Sequence, residues 1–92
     1  MAAFSVPDHV DFENLAALRA AGEHYLDEEP EPVFDLGALV NSSSAAVAVL
    51  IAWFRYAHGL GKAVRFVRVP LGVMNIIDVS DLTDVLPVEN SA

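Results

Sequence analysis

Ninety-two residues with no cysteine, 54% hydrophobic and 20% charged, describe one domain with a dense core rather than a disordered or disulfide-stapled chain. Five basic residues against thirteen acidic ones leave a net charge of −8, which argues against general binding to nucleic-acid backbones or anionic lipid surfaces. The first ten residues lack the basic region and apolar core of a secretory signal. The most apolar run, residues 45–54, is followed by Arg55. As a helix that run spans ~15 Å, about half a bilayer core, so it reads as a buried helix. The expectation is a single cytoplasmic domain over residues 1–92, with 81–92 as a C-terminal tail and no membrane insertion.

In chain order, residues 2–6 form a short strand closed by Pro7. Asp11 is placed to cap a helix of about four turns, in which Phe12, Leu15, Leu18, Gly22 and Leu26 share one face. Glu13, Ala17, Ala20 and His24 face the other way. The acidic, proline-containing stretch 27–32 ends that helix as a solvated loop. Residues 33–36 form a second strand. It leads through Gly37 into Asn41-Ser42-Ser43-Ser44, a turn supplied with capping hydroxyls.

The apolar helix that follows runs to about His58, and Gly59 and Gly61 suit its C-terminal end. Residues 63–69 are rich in β-branched and aromatic side chains and read as a third strand. Pro70 opens a third helix over residues 71–79. The tail carries one anchor, Val85-Leu86. This β-α-β-α-β-α order predicts right-handed crossovers and a mostly parallel sheet.

No catalytic constellation emerges. His9, His24 and His58 are scattered and supply no second metal ligand, the serines sit in no nucleophile elbow, and the glycines form no phosphate loop. The reading is of a non-enzyme with no catalytic residue, cofactor or metal. Ser43 or Ser44 serves as a helix cap, with Ser44 the favoured cap and contact residue.

The second helix is more informative. Ala46, Val47, Leu50, Trp53, Phe54 and Ala57 gather on its core side. The opposite side carries Ser44, Ala45, Ala48, Ala52 and Arg55, a small, weakly apolar stripe that lets another protein's backbone approach closely. Nine of the thirteen acids fall between Asp8 and Asp35, and four of the five basic residues between Arg55 and Arg68. Such a two-signed surface suits a defined protein partner.

Residues 34–69 resemble a STAS domain, the module of anti-sigma-factor antagonists and of the cytoplasmic tails of sulfate transporters. Asp35-Leu36 takes the place of the family's strand end, Ser43-Ser44 that of its Asp-Ser/Thr pair, Ala45-Ala46 that of its small pair and Gly61 that of its turn. Asp84-Val85-Leu86-Pro87 is similar to the ending of the MlaB subfamily, the small STAS subunit of the Mla phospholipid ABC transporter.

The resemblance implies an α/β, STAS-like fold with a four- to five-strand, mostly parallel sheet flanked by helices. It implies a regulatory or stabilising role in a transporter that moves phospholipid between the inner and outer membranes of Gram-negative bacteria. The partner is then the cytoplasmic ATPase subunit, in a complex with permease and lipid-binding subunits, and the chain lies peripheral to the inner membrane through it. Ser43, Ser44, Ala45, Ala48, Ala52 and Arg55 become the partner-binding residues. The alternative is an anti-sigma-factor antagonist cycled by serine phosphorylation. Against it, Ser43 replaces the motif acid and alanine the usual glycine. Relatives also begin with a strand pair, whereas residues 1–6 provide one strand, which predicts either an unpaired sheet edge or a true start that lies upstream.

Overall fold

A computed structural model describes residues 3–40, 43–79 and 88–90, the last three by their backbone alone. Four strands and three helices alternate: β1 (Phe4–Ser5), α1 (Leu15–Glu28), β2 (Val33–Asp35), α2 (Ser44–Gly59), β3 (Arg65–Val69), α3 (Leu71–Val79) and β4 (Val88–Asn90). The strands pair in parallel, in the sequential order β1-β2-β3-β4. Four parallel strands fit the expected sheet, and among the described residues β1 is an edge paired with β2 alone. The tail is corrected: β4 lies within what the sequence left unstructured. Val85-Leu86 and the Asp84–Pro87 motif fall outside the described residues, as do Asn41 and Ser42.

Sequential order joined by right-handed crossovers places every helix on the same side of the sheet. Phe4, Phe34 and Phe66 stand in register across β1, β2 and β3 and point towards the helices. On that row sits Trp53 of α2, stacked on Phe34 at 4.2 Å between ring centroids, with Tyr25 of α1 edge-on to Phe34 at 5.4 Å. The indole N–H of Trp53 donates to the Arg19 carbonyl at 3.1 Å, so the ring is buried with its one polar atom bonded. Val73 and Ile77 of α3 complete the core from beside α2. The opposite sheet face carries Ser5, Asp35 and Val67 in one row and Val33 with Arg65 in another. None of these side chains is buried.

Gly22 makes this packing possible. A Cβ there would lie 2.1 Å from the indole nitrogen of Trp53, so α1 settles onto the ring only because the position has no side chain. Gly22→Ala is therefore expected to destabilise the domain by ~1–3 kcal/mol through overpacking, although alanine is the better helix former. A urea melt measures it; an unchanged or raised midpoint would contradict this packing.

The helix ends follow local chemistry. The expected Asp11 cap is corrected: the N-cap of α1 is Asn14, which makes no side-chain cap hydrogen bond, and Asp11 holds the preceding turn through a reciprocal pair. Asp11 Oδ1 accepts from Asn14 N–H at 3.0 Å and Asn14 Oδ1 accepts from Asp11 N–H at 3.0 Å. Residues 12–14 form a tight turn, so the regular helix begins at Leu15 and Phe12 leaves the expected core face; its side chain is 72% exposed. α2 ends in a Schellman motif. Lys62 N–H donates to Ala57 O and Gly61 N–H to His58 O, with Gly61 at φ +72°. The Lys62 ammonium reaches back to the carbonyls of Leu26 and Asp27, placing a positive charge at the C-terminus of α1.

Candidate protein-docking site

Three βα connections lie at the carboxyl edge of the sheet. Two of them are tied together. Val40 N–H donates to the Asp8 carbonyl at 2.8 Å, and the Ser43 hydroxyl donates to the Val10 carbonyl at 3.0 Å. The same hydroxyl accepts from Ala46 N–H at 3.3 Å, which makes Ser43 the N-cap of α2. The expectation that Ser44 is the cap is corrected: Ser44 is the first helical residue and lies exposed. This edge presents large apolar side chains to solvent, with Phe12 72%, Val40 71% and Leu71 72% exposed. Phe12 and Val40 come from the first two connections and Leu71 from the first position of α3. They are far apart in sequence and share an edge only through the topology.

Phe12 also stands at the mouth of a groove of about 430 Å³ between α1 and α2. Leu15, Ala16 and Ala20 line the α1 wall, and Ala48 and Ala52 the α2 wall. Beyond Ala52 a second depression continues to Arg55 and Tyr56, whose hydroxyl donates to Asp27 Oδ1 at 2.7 Å. That bond raises the Tyr56 pKa. Arg19 pairs with Glu23 at 3.3 Å across one turn of α1. An open, alanine-walled trough suits the ridge of another helix better than a small molecule, which would need enclosure and convergent polar groups.

Of the six residues expected to bind a partner, Ser44, Ala48, Ala52 and Arg55 are exposed or half-buried along this side of α2, and Ser43 adjoins them. Ala45 does not belong to the stripe. It is 1% exposed, because at the start of α2 the helix is covered on more than one side, and Val49 is buried for the same reason. Phe12, Val40, Leu71, Ala16 and Ala20 escaped the sequence reading. Only Phe12, a large apolar residue directly after a capping aspartate, carried a local signal. The histidines are dispersed: His9 beside Asp8, His24 one turn from Glu28, His58 stacked on Phe54. Among the described residues no three His, Asp or Glu side chains converge as metal ligands, and no polar or charged residue is buried.

Asp35, at the end of β2, organises the turn into α2. Its carboxylate takes a two-pronged interaction from Arg68, at 2.9 Å and 2.7 Å, and accepts from Gly37 N–H at 2.8 Å. Arg68 is the one non-glycine residue at positive φ (+53°) among those described, where the β3–β4 register shifts. Its guanidinium folds over Gly37, where a Cβ would meet it at 2.3 Å. The hydrogen bond from Arg68 outweighs the opposing desolvation and, with the Gly37 bond, holds the Asp35 carboxyl below its ordinary value. A folded-state pKa lowered in this way stabilises the domain above the unfolded value, ~3.9. That contribution disappears as pH falls through the folded value. Asp35→Asn is thus expected to flatten the acid limb of thermal stability below about pH 4; parallel limbs for variant and wild type in melts at stepped pH would refute it.

The family profile described as "Mlab, STAS domain" matches residues 3–87. The chain belongs to the STAS domain family. Among solved structures, an anti-sigma-factor antagonist (STAS) domain protein from Planctomyces limnophilus superposes with a TM-score of 0.74 over 96% of this chain and 80% of that one, at 12% identity. It shares the STAS fold; at that identity nothing further carries over. No curated protein matches the chain. No helix among the described residues of this STAS domain is long and apolar enough to cross a membrane.

Proposed function

We propose that this STAS domain is a non-enzymatic regulatory and stabilising subunit of a bacterial ABC transporter that moves phospholipid between the inner and outer membranes. It binds the cytoplasmic ATPase subunit, and through that complex sits at the inner membrane beside the permease and lipid-binding subunits. The observation that carries this reading is the match of residues 3–87 to a profile described as Mlab. The exposed face of α2 supports it: Ser44 at the helix start, Ala48 and Ala52 along the groove, and Arg55 beyond.

A second reading, an anti-sigma-factor antagonist, is favoured by the exposed Ser44 hydroxyl at the N-terminus of α2, where an added phosphate would meet the positive end of the helix dipole. Affinity purification of the tagged chain from its own cells, followed by mass spectrometry, separates the two. The transporter reading expects an ABC ATPase with its permease. Recovery of a sigma-factor-binding kinase, with phosphate on Ser43 or Ser44 at high occupancy, would overturn it.

A further inference from the structure

We infer that the groove between α1 and α2 takes a basic amphipathic helix of the partner, an inference that rests on the reading above that this side of the domain docks a protein. The lining runs from Leu15 to Glu23 along α1, with Phe12 in the turn before it. At 1.5 Å per residue the helical part is ~12 Å, room for about two turns of a docked helix. With Ala16 and Ala20 on one wall and Ala48 and Ala52 on the other, an incoming helix approaches to ~8 Å between axes and fills the trough with its own apolar ridge. The exposed Phe12 ring at the mouth supplies the large apolar contact that anchors such interfaces.

Charge then selects among amphipathic helices. The loop that presents Phe12 carries the exposed acids Asp8, Asp11 and Glu13, and Asp27 stands beyond the far end. On α1, Arg19 is matched by Glu23 within the wall itself. Arg55 of α2 adds a cation at this side, and the Lys62 ammonium lies against the Asp27 carbonyl at the far end. Five acids against three cations leave the rim acidic, on a chain of net charge −8. Lysines or arginines flanking an apolar stripe complement it, whereas an acidic helix meets like charge. A second copy of this chain would bring the same acidic rim against itself, which disfavours self-association here.

The test uses the full chain, ¹⁵N-labelled, titrated with two capped synthetic helices of about 16 residues, long enough to span the groove. Both carry one leucine stripe; one is flanked by lysine and arginine, its twin by glutamate. The basic peptide is expected to shift amides of residues 12–23 and 48–52. It should bind at least ~10-fold tighter than the acidic twin at about 50 mM salt, an advantage that shrinks at about 500 mM. Ala20→Arg, on the exposed wall of α1, should remove those shifts while the rest of the spectrum stays dispersed. Equal or tighter binding of the acidic twin, shifts centred elsewhere, or none at millimolar peptide would overturn the inference. Concentration-dependent shifts of the same residues without peptide would assign the groove to a second copy and overturn it too.

The same variants on the partner keep this result apart from the docking reading. Ala20→Arg and the Asp8→Lys/Glu13→Lys pair should each weaken capture of the ATPase subunit by at least ~10-fold. Normal capture by both, with capture lost in Ala48→Arg, would overturn the basic-helix inference and leave the docking reading standing. Failure of the unmodified chain to capture any ABC ATPase overturns that reading instead, and the peptide titration then decides the groove by itself.

Discussion

Ala48→Arg is expected to abolish capture of the proposed ATPase partner while leaving the domain folded. Ala48 lies half-buried on the α2 wall of the groove, about 160° around the helix from fully buried Leu50. In the free protein a long arginine side chain lays its stem along the trough and keeps its head in water, so the melting temperature should move little. In the complex the same guanidinium is desolvated against a packed surface without a partner. That costs several kcal/mol, and each 1.4 kcal/mol is tenfold in affinity. Leu50→Arg is the control. It drives a charge into the core and should unfold the domain outright. Circular dichroism melts and co-purification with the ATPase subunit measure both. Normal binding by Ala48→Arg would remove the α2 face from the interface, and a collapse in its melting temperature would place Ala48 in the core.

Trp53→Ala should be the most destabilising single truncation in the chain. The indole fills the space between α1 and the phenylalanine row, stacks on Phe34, meets Phe4 edge-on at 5.7 Å and donates to Arg19 O. Truncating a buried tryptophan costs about 3–5 kcal/mol, a large share of the ~5–14 kcal/mol available to a domain of this length. Denaturant titration by far-ultraviolet dichroism reads it directly, and a loss below about 1 kcal/mol would mean that the helices close over the gap. Trp53 and Gly22 should also be coupled. In Trp53→Phe the smaller ring leaves space for a Cβ at position 22, so the double variant with Gly22→Ala should lose less than the sum of the single losses.

Much of this fold was legible in the sequence, because its signals are local. The helix over residues 71–79 appears with the expected bounds, since Pro70 and a period-3.6 apolar set mark it from within. The Schellman end of α2 was visible in Gly61. What failed depended on neighbours brought from a distance. Ala45 reads as exposed on a helical wheel drawn with one core face, yet α2 packs against the sheet, α1 and α3. Choosing Ser43 over Ser44 as the cap required the Val10 carbonyl, which a loop from another part of the chain delivers. β4 is three residues long and its sequence, Val88-Glu89-Asn90, has no strand pattern of its own. Pairing with β3 is what makes it a strand. The site was read in part for the same reason: the α2 stripe is encoded within one helix, whereas the α1 wall and the Phe12, Val40, Leu71 edge exist only once the chain has folded.

Strand order equal to chain order has a consequence for how the protein comes off the ribosome. Phe4 pairs with Phe34, Phe34 with Phe66 and Phe66 with Val88, so each strand needs only the one made before it. The partners that bury Trp53 (Phe4, Arg19, Gly22 and Phe34) all precede it in the chain. Once α2 has emerged, the aromatic heart of the domain can close while the last strand is still being made. Each later βα unit then adds to a finished edge, as repeats add to a solenoid. Among the described strands none has to wait for the C-terminus before it finds its first neighbour.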